Sequence, residues 1–101
     1  MIKHIVMWKF KDEAEGKSKV ENIEIIKKDL EDLVGVIPQI RTLEVGVNKN
    51  TESKTAFDAV LVSTFDTMED VAAYRADPRH KKAAAYNKLC RIDRVVVDYE
   101  F

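Results

Sequence analysis

The 101-residue sequence predicts an α+β domain in which an antiparallel four-stranded sheet carries helices on one face. Two observations lead to this fold class. Four segments of strand length are rich in β-branched and aromatic residues, and the segments that follow the first and the third of them repeat apolar residues at intervals of three and four. The order of strand, helix, two strands, paired helices and strand contains two strand–helix–strand halves, which is typical of a ferredoxin-like fold.

The first strand is predicted at Ile2–Phe10, because strand-favouring residues alternate there between two faces. Ser18 and Glu21 have the spacing of a capping box, which indicates the start of a helix. The helix carries one apolar stripe and is stopped by Gly35 and Pro38. The members of that stripe are Val20, Ile23, Ile26, Leu30, Leu33 and Val34.

Two further strands are predicted at Leu43–Val47 and at Phe57–Phe65. The segment Asn48–Thr55 between them is polar and rich in turn-forming residues. The first of these strands alternates apolar and polar residues, whereas the second is apolar on both faces. The sequence therefore predicts a hairpin whose second strand lies inside the sheet.

A helix over residues 66–76 and a second over 78–89 complete the predicted helical layer. Asp66 and Thr67 are able to cap the first helix, whose buried side is expected to carry Met68, Val71 and Tyr74. Pro78 breaks it, since the residue before a proline disfavours the helical conformation. Asp77 and Pro78 then suit the N-cap and first position of the second helix. The chain closes with a strand at Ile92–Phe101.

Composition places residues 1–101 in one folded domain. Hydrophobic residues make up 46 % and charged residues 35 %, and the formal net charge is -1 without a long run of one sign. This balance gives no reason to expect a nucleic-acid partner, and the apolar stretches are too short to span a membrane. We expect no signal peptide, and the single cysteine, Cys90, is consistent with the reducing cytoplasm.

The predicted sheet has apolar side chains on both faces of its central strands. The face opposite Val6 and Leu61 carries Ile5, Met7, Val60 and Val62. Burial of apolar surface is favourable by about 25 cal/mol per Å², and large exposed apolar patches are rare. We therefore expect a homodimer through the sheet face. The alternative is that the helices or the long loop cover part of both faces.

Tyr74 and His80 flank the predicted helix break and are the candidates for catalysis. A phenol and an imidazole are suited to proton transfer near neutral pH. With Asp77 as the N-cap, His80 takes the third helical position, where the helix dipole disfavours an imidazolium and favours a neutral base. The alternatives are an exposed or capping histidine, and a core tyrosine whose hydroxyl is held by the backbone.

Three further residues, His4, Trp8 and Tyr86, are candidates for ligand binding. His4 lies on the inward face of the first strand, where a lone histidine also fits a satisfied core residue. The aromatic residues Trp8 and Tyr86 either wall an apolar cavity between sheet and helices or fill the core. No metal-ligand spacing and no glycine-rich loop is present, so neither a metal nor a cofactor is predicted.

Segments spread over essentially the whole chain resemble the stress-responsive A/B barrel (Dabb) family. They are Ile2–Lys11, Leu43–Val47, Phe57–Val62, Ala73-Tyr74 with Asp77–His80, and Val95–Tyr99. The resemblance implies a homodimer in which two ferredoxin-like sheets face each other, forming a dimeric α/β barrel.

The family includes a plant enzyme, olivetolic acid cyclase, which closes a linear polyketide by an intramolecular aldol condensation. The resemblance to that enzyme implies that His80 stands at the place of its base and Tyr74 at the place of an assisting tyrosine. His4 matches a histidine that lines its pocket. The chain departs from the cyclase at Asp58 and Asp77, where the enzyme has histidines.

Two functional classes therefore stay open. The first is a stress-associated homodimer of unassigned activity, with a small apolar pocket for a small-molecule ligand. The second is a cofactor-independent enzyme that acts on a hydrophobic carbonyl substrate, by cyclase-like aldol chemistry or, by analogy of fold, as a monooxygenase. Convergence of His4, Tyr74 and His80 on one enclosed cavity favours chemistry or specific binding, whereas filled packing favours a structural role.

Overall fold

The computed structural model describes residues 1–101 and has the predicted ferredoxin-like α+β architecture. Four strands form one antiparallel sheet in the order β4–β5–β1–β6, and β2 with β3 forms a separate hairpin. The elements in chain order are β1 (Ile2–Phe10), β2 (Glu13–Ala14), β3 (Lys17–Ser18), α1 (Lys19–Glu31), β4 (Thr42–Val47), β5 (Ala59–Phe65), α2 (Met68–Ala76), α3 (Pro78–Cys90) and β6 (Arg91–Glu100).

The core lies between one face of the sheet and the helices. Every second residue of β1 is buried from Ile2 to Phe10, and β5 alternates in the same way from Ala59 to Phe65. The inward side of α1 adds Ile23, Ile26 and Leu30 to the same cluster. The predicted inward face of the first strand is therefore confirmed.

The opposite face of the sheet is apolar and uncovered. Strand pairing places Val97 beside Ile5 and Val95 beside Met7 on this face, and Val97 is 52 % exposed. The loop before β5 reaches only one end of the face, near Met7 and Val60. The helices and this loop therefore leave most of the face open.

The start of α1 follows the predicted capping box. Ser18 Oγ accepts a hydrogen bond from the Glu21 backbone N–H (3.2 Å), and Glu21 Oε1 accepts one from the Ser18 N–H (3.1 Å). The predicted apolar stripe is wrong at its two ends, since Val20 is 72 % exposed and Val34 is also exposed. Val20 lies in the first turn and Val34 beyond the last, at positions that the sheet does not cover.

The β2–β3 hairpin was not predicted from the sequence, which shows only a charged segment between Lys9 and Lys19. Its turn is formed by Glu15 (φ 54°) and Gly16 (φ 73°). Positive φ at both central residues matches the twist of the flanking strands. Strands of two residues are too short to show an alternating pattern, so the sequence carries no periodic signal for them.

The break between α2 and α3 occurs at the predicted position. Thr67 Oγ1 caps α2 by accepting from the Asp70 N–H (3.1 Å), while Asp77 Oδ1 caps α3 by accepting from the Arg79 N–H (2.8 Å). Hydrogen bonds from the Arg79 side chain, and then from its backbone, lower the pKa of Asp77 to about 2. Asp77 is therefore a carboxylate at neutral pH.

Some predicted boundaries need correction. Met68 is half exposed, because α2 reaches the core only through its later residues, Val71 and Tyr74. The third sheet strand begins at Ala59 rather than Phe57, and Asp58 Oδ2 accepts the Phe10 N–H (2.8 Å) just outside the ladder. The last strand runs one residue earlier than predicted, at Arg91–Glu100. None of the helices has the length and apolar character needed to cross a membrane.

Removal of the α3 cap should destabilise the fold at the helix break. Asp77→Ala leaves the Arg79 N–H without its side-chain acceptor, and the melting temperature should fall by about 4 to 8 °C for a domain of this size. Thermal unfolding followed by circular dichroism measures this change. Asp77→Asn is the matched control, since it keeps the capping oxygen and should lose less. Equal melting temperatures for Asp77→Ala and the wild type would contradict the role of the cap.

Candidate functional site

A cavity of about 330 Å³ lies between the sheet and the α2–α3 pair. Its apolar lining comes from Val6, Trp8, Leu30 and Leu61 of the sheet and α1, and from Ala83 of α3. A volume of about 300 Å³ or more is the range in which small-molecule sites occur. The cavity is thus large enough for a small ligand.

The helix break brings Tyr74 and His80 together at this cavity. Both side chains line it, and their ring centroids are 4.3 Å apart. One continuous helix would separate residues six positions apart by about 9 Å along its axis and place them on different sides. The turn of the chain at Asp77 removes that separation.

The hydrogen bonding of His80 defines which ring nitrogen is free. Nδ1 lies 3.3 Å from the Arg75 carbonyl oxygen, which can only accept, so Nδ1 carries the proton. Burial is the main cause that lowers the pKa of His80. The hydrogen bond to the Arg75 carbonyl raises this pKa, and repulsion from His4 and from the Arg75 and Arg94 side chains lowers it further. The neutral imidazole keeps a lone pair at Nε2 and is suited to act as a base.

Tyr74 supplies a buried hydroxyl without a partner. The residue is fully buried, and its hydroxyl has no hydrogen bond. The alternative in which the backbone holds this hydroxyl is therefore not what the structure shows. Burial raises the pKa of Tyr74, so the phenol stays protonated and is available as a donor.

Asn87 is a second buried donor on the cavity wall. Its Nδ2 has no hydrogen-bond partner, while its Oδ1 accepts a bond from Arg91 Nη1 (3.2 Å). A buried polar group without a partner costs free energy that a suitable ligand atom would recover. Tyr74 and Asn87, which both line the cavity, therefore carry two buried donors without partners.

His4 lies behind Tyr74 rather than on the cavity lining. Its ring packs edge-on against Tyr74, with centroids 6.3 Å apart, and against Phe65. His4 Nδ1 lies 2.5 Å from Asp98 Oδ1, across the β1–β6 pairing. His4 is therefore a buried, partnered residue that supports Tyr74, and the three sequence-predicted polar groups do not all reach the same cavity.

The two aromatic candidates have different environments. Trp8 lines the cavity, where it pairs in register with Arg94 of the edge strand. Tyr86 does not line it, and its hydroxyl donates to Asn22 Oδ1 (2.6 Å). Asn22 Nδ2 in turn donates to the Ala14 carbonyl (3.0 Å) of the hairpin. Tyr86 thus connects α3, α1 and the hairpin.

Sequence reasoning missed several residues of the site: Arg75, Asn87, Lys88, Arg91 and Arg94, with Asp98 behind them. Two signals were present in the sequence. Asn87 stands seven positions after His80, a spacing that repeats on one helix face. Arg94 and Asp98 interrupt a valine-rich strand at positions that face the same side.

The described structure holds no group of three or more histidine, cysteine or acidic side chains that is able to bind a metal ion. Cys90 is fully buried, and burial is the main cause that raises the pKa of its thiol. Asp58 and Asp77 bind the Phe10 and Arg79 N–H groups, outside the cavity. The chemical groups of the cavity are therefore an imidazole, a phenol, an amide and basic side chains.

The chain is similar to known proteins over nearly its whole length. The family described as Stress responsive A/B Barrel Domain matches residues 2–101. The stress-response A/B barrel domain-containing protein HS1 of Arabidopsis thaliana is 33% identical over 101 residues, which cover 98% of this chain and 88% of HS1. A second Arabidopsis thaliana protein named for this domain is 27% identical over 99 residues, or 95% of this chain, and the chain spans about a third (35%) of that longer protein.

A solved structure shares the fold. A dimeric protein of unknown function with a ferredoxin-like fold, from Bacteroides fragilis, has a TM-score of 0.79 and 32% sequence identity. The alignment covers 99% of this chain and 95% of that chain. With the family match over nearly the whole chain and the identity to HS1, these findings show that the chain belongs to the stress-responsive A/B barrel domain family.

Proposed function

We propose that this protein is a homodimer that binds a small, largely apolar molecule in the cavity between the sheet and the α2–α3 pair. The pair of buried donors without partners, Tyr74 Oη–H and Asn87 Nδ2–H, carries this proposal. Both line a cavity whose floor is apolar, which is the usual composition of a small-molecule site. A ligand oxygen that accepts from these groups would remove the cost of leaving them unpaired.

The dimer is supported by the uncovered face of the sheet. Val95, Val97 and Tyr99 are exposed there beside Met7. A contiguous apolar patch of this kind is stabilised by burial against a second copy. The Bacteroides fragilis relative is described as dimeric. Because the cavity lies on the helix side, the dimer contact leaves it accessible.

The buried, unpaired thiol of Cys90 supports a reducing compartment, and we propose the cytoplasm as the location. Burial protects this thiol from oxidation and from pairing with another chain. The proposed cytoplasmic location is therefore consistent with the free thiol of Cys90.

A second candidate function is a cofactor-independent enzyme for hydrophobic carbonyl compounds. The free Nε2 of neutral His80, next to the Tyr74 phenol, favours this candidate. In such a reaction Nε2 takes a proton from the carbon beside the carbonyl, and the phenol donates a hydrogen bond to the enolate oxygen. The ordinary binding role remains our first proposal, because it requires only the cavity and its donors.

We expect the neutral ketone 2-nonanone to bind in the cavity. Trp8 is the only tryptophan and lines the cavity, so its fluorescence should change on titration. Ala83→Phe fills part of the cavity and should weaken binding by about tenfold or more, since it displaces a well-fitting ligand group. Ala72→Phe is the matched control, because Ala72 is exposed on α2 and does not line the cavity.

The same ketone separates the two candidate functions. In D₂O, a general base would exchange the hydrogens beside the carbonyl, at a rate that falls by about a hundredfold or more in His80→Ala. A binding protein would hold 2-nonanone without accelerating that exchange. If Ala83→Phe leaves the saturable binding of 2-nonanone unchanged, the proposed site is contradicted. If hydrogen exchange depends on His80, the enzyme replaces the binding protein as the proposed function.

The sheet-mediated dimer should dissociate when a charge is placed on the open face. Val97→Asp would bury an unpaired carboxylate in the dimer, and sedimentation should show one species near the 11.6 kDa chain mass. Val20→Asp is the matched control, because Val20 is an exposed residue of α1, and this variant should stay dimeric. A wild-type protein that sediments as a monomer at micromolar concentration would rule out the dimer.

The pKa of His80 should be below the ordinary value of 6.5. A titration of the two histidines followed by nuclear magnetic resonance measures it. At a pH between the folded and the unfolded pKa of His80, this histidine is mostly protonated in the unfolded chain and mostly neutral in the folded chain. The free energy of unfolding should therefore fall as the pH is lowered below about 6.5. It should stop falling from this cause once folded His80 is also protonated.

His80→Gln should remove this part of the pH dependence while it keeps a side chain of similar polarity. A pKa at or above 6.5 would instead mean that the cavity stabilises the imidazolium. That result would contradict the neutral base required by the second candidate function.

A further inference from the structure

Basic side chains surround the cavity without acidic partners. Its lining includes Arg75, Lys88, Arg91 and Arg94 and contains no aspartate or glutamate. None of these four cations lies within 4.0 Å of a carboxylate oxygen, although ion pairs occur elsewhere on the chain. The chain as a whole has a net charge of only -1, so this cluster is a local concentration of positive charge.

Arg94 places one of these charges on the sheet side of the cavity. It pairs in register with Trp8 on β1, and directly opposite residues of such a pair face the same side of the sheet. Burial is the main cause that lowers the pKa of Arg94, followed by repulsion from Arg91 and Arg75. The guanidinium stays charged at neutral pH, so a partly desolvated cation faces two others.

The acidic groups near Arg94 are already bound, since Asp93 Oδ1 accepts the Arg94 backbone N–H (2.8 Å) and Asp98 pairs with His4. Asp98 favours the charged form of Arg94, but its Oδ1 lies 2.5 Å from His4 Nδ1. The positive charge around the cavity is therefore only partly compensated within the chain.

The neutral polar groups of the wall add donors to this charge. Tyr74 Oη–H and Asn87 Nδ2–H are buried donors without partners. Asn87 Oδ1 accepts from Arg91 Nη1, which leaves its amide N–H group free and fixes the orientation of the side chain. Cations, residues with unpaired donors and apolar side chains line one cavity, and this combination suits a ligand with an anionic head and an apolar tail.

We propose that the ligand of this cavity is an apolar monocarboxylate, with its carboxylate near Arg91 and Arg94 and its hydrocarbon tail against Trp8. This inference rests on the proposed small-molecule function and names the class of ligand. A carboxylate has two acceptor oxygens, which match the paired donors of a guanidinium. It relieves the mutual repulsion of the cations, and an uncharged carbonyl does not.

The test compares ligands with one tail and different heads: octanoate, octanamide and octylammonium. Trp8 fluorescence reports the binding of each at pH 7. Octanoate should bind about tenfold more tightly than octanamide, because hydrogen bonds to a charged group are stronger than neutral ones. Octylammonium should bind more weakly than octanamide.

Arg94→Gln should reduce the tenfold preference for octanoate to about twofold or less, with little change for octanamide. Lys82→Gln is the matched control, because it removes the same charge from α3 at an exposed position that does not line the cavity. It should leave the preference in place. Arg94→Lys should recover part of the lost preference, which a purely structural role of Arg94 would not predict.

A second measurement does not depend on the stability of any variant. Octanoate affinity for the wild-type protein should fall as the salt concentration rises, whereas octanamide affinity should stay nearly constant. Equal affinities for octanoate and octanamide, or equal salt dependence, would overturn the carboxylate assignment while binding of 2-nonanone still supported the proposed function. Failure of all these ligands to bind would overturn both.

Discussion

The break between α2 and α3 is the constraint on which the candidate site depends. Pro78 cannot continue α2, and the Asp77 carboxylate starts α3 by capping the Arg79 N–H. The change in direction places Tyr74 and His80 with ring centroids 4.3 Å apart. The cavity lies between these two helices and the sheet. The helix break at Asp77 and Pro78 thus positions side chains from α2 and α3.

Buried polar groups then give the cavity its chemical character. The structure satisfies His4 through Asp98 and Tyr86 through Asn22, but leaves donors of Tyr74 and Asn87 unpaired. A small domain rarely leaves buried polar groups without partners unless they have a functional role or bind a molecule. Partnered groups support the fold, and unpartnered ones are available to a ligand.

The two faces of the sheet have separate roles. The inward face, with Val6 and Trp8, contributes to both the core and the cavity. The outward face presents Val95 and Val97 to its surroundings. Since successive residues of a strand point to opposite faces, one sequence pattern serves both surfaces. The dimer that we propose through the outward face would therefore not compete with the ligand binding that we propose on the helix side.

The sequence by itself determined the fold class, the capping box of α1 and the break at Asp77, because these follow from local periodicity and from the backbone limits of proline. It also identified Tyr74 and His80 as neighbours across that break. Only the tertiary structure decided that Tyr86 lies away from the cavity and that Arg94 lies on it. Those positions depend on strand register and on helix packing, which join residues far apart in the chain and leave no short-range pattern.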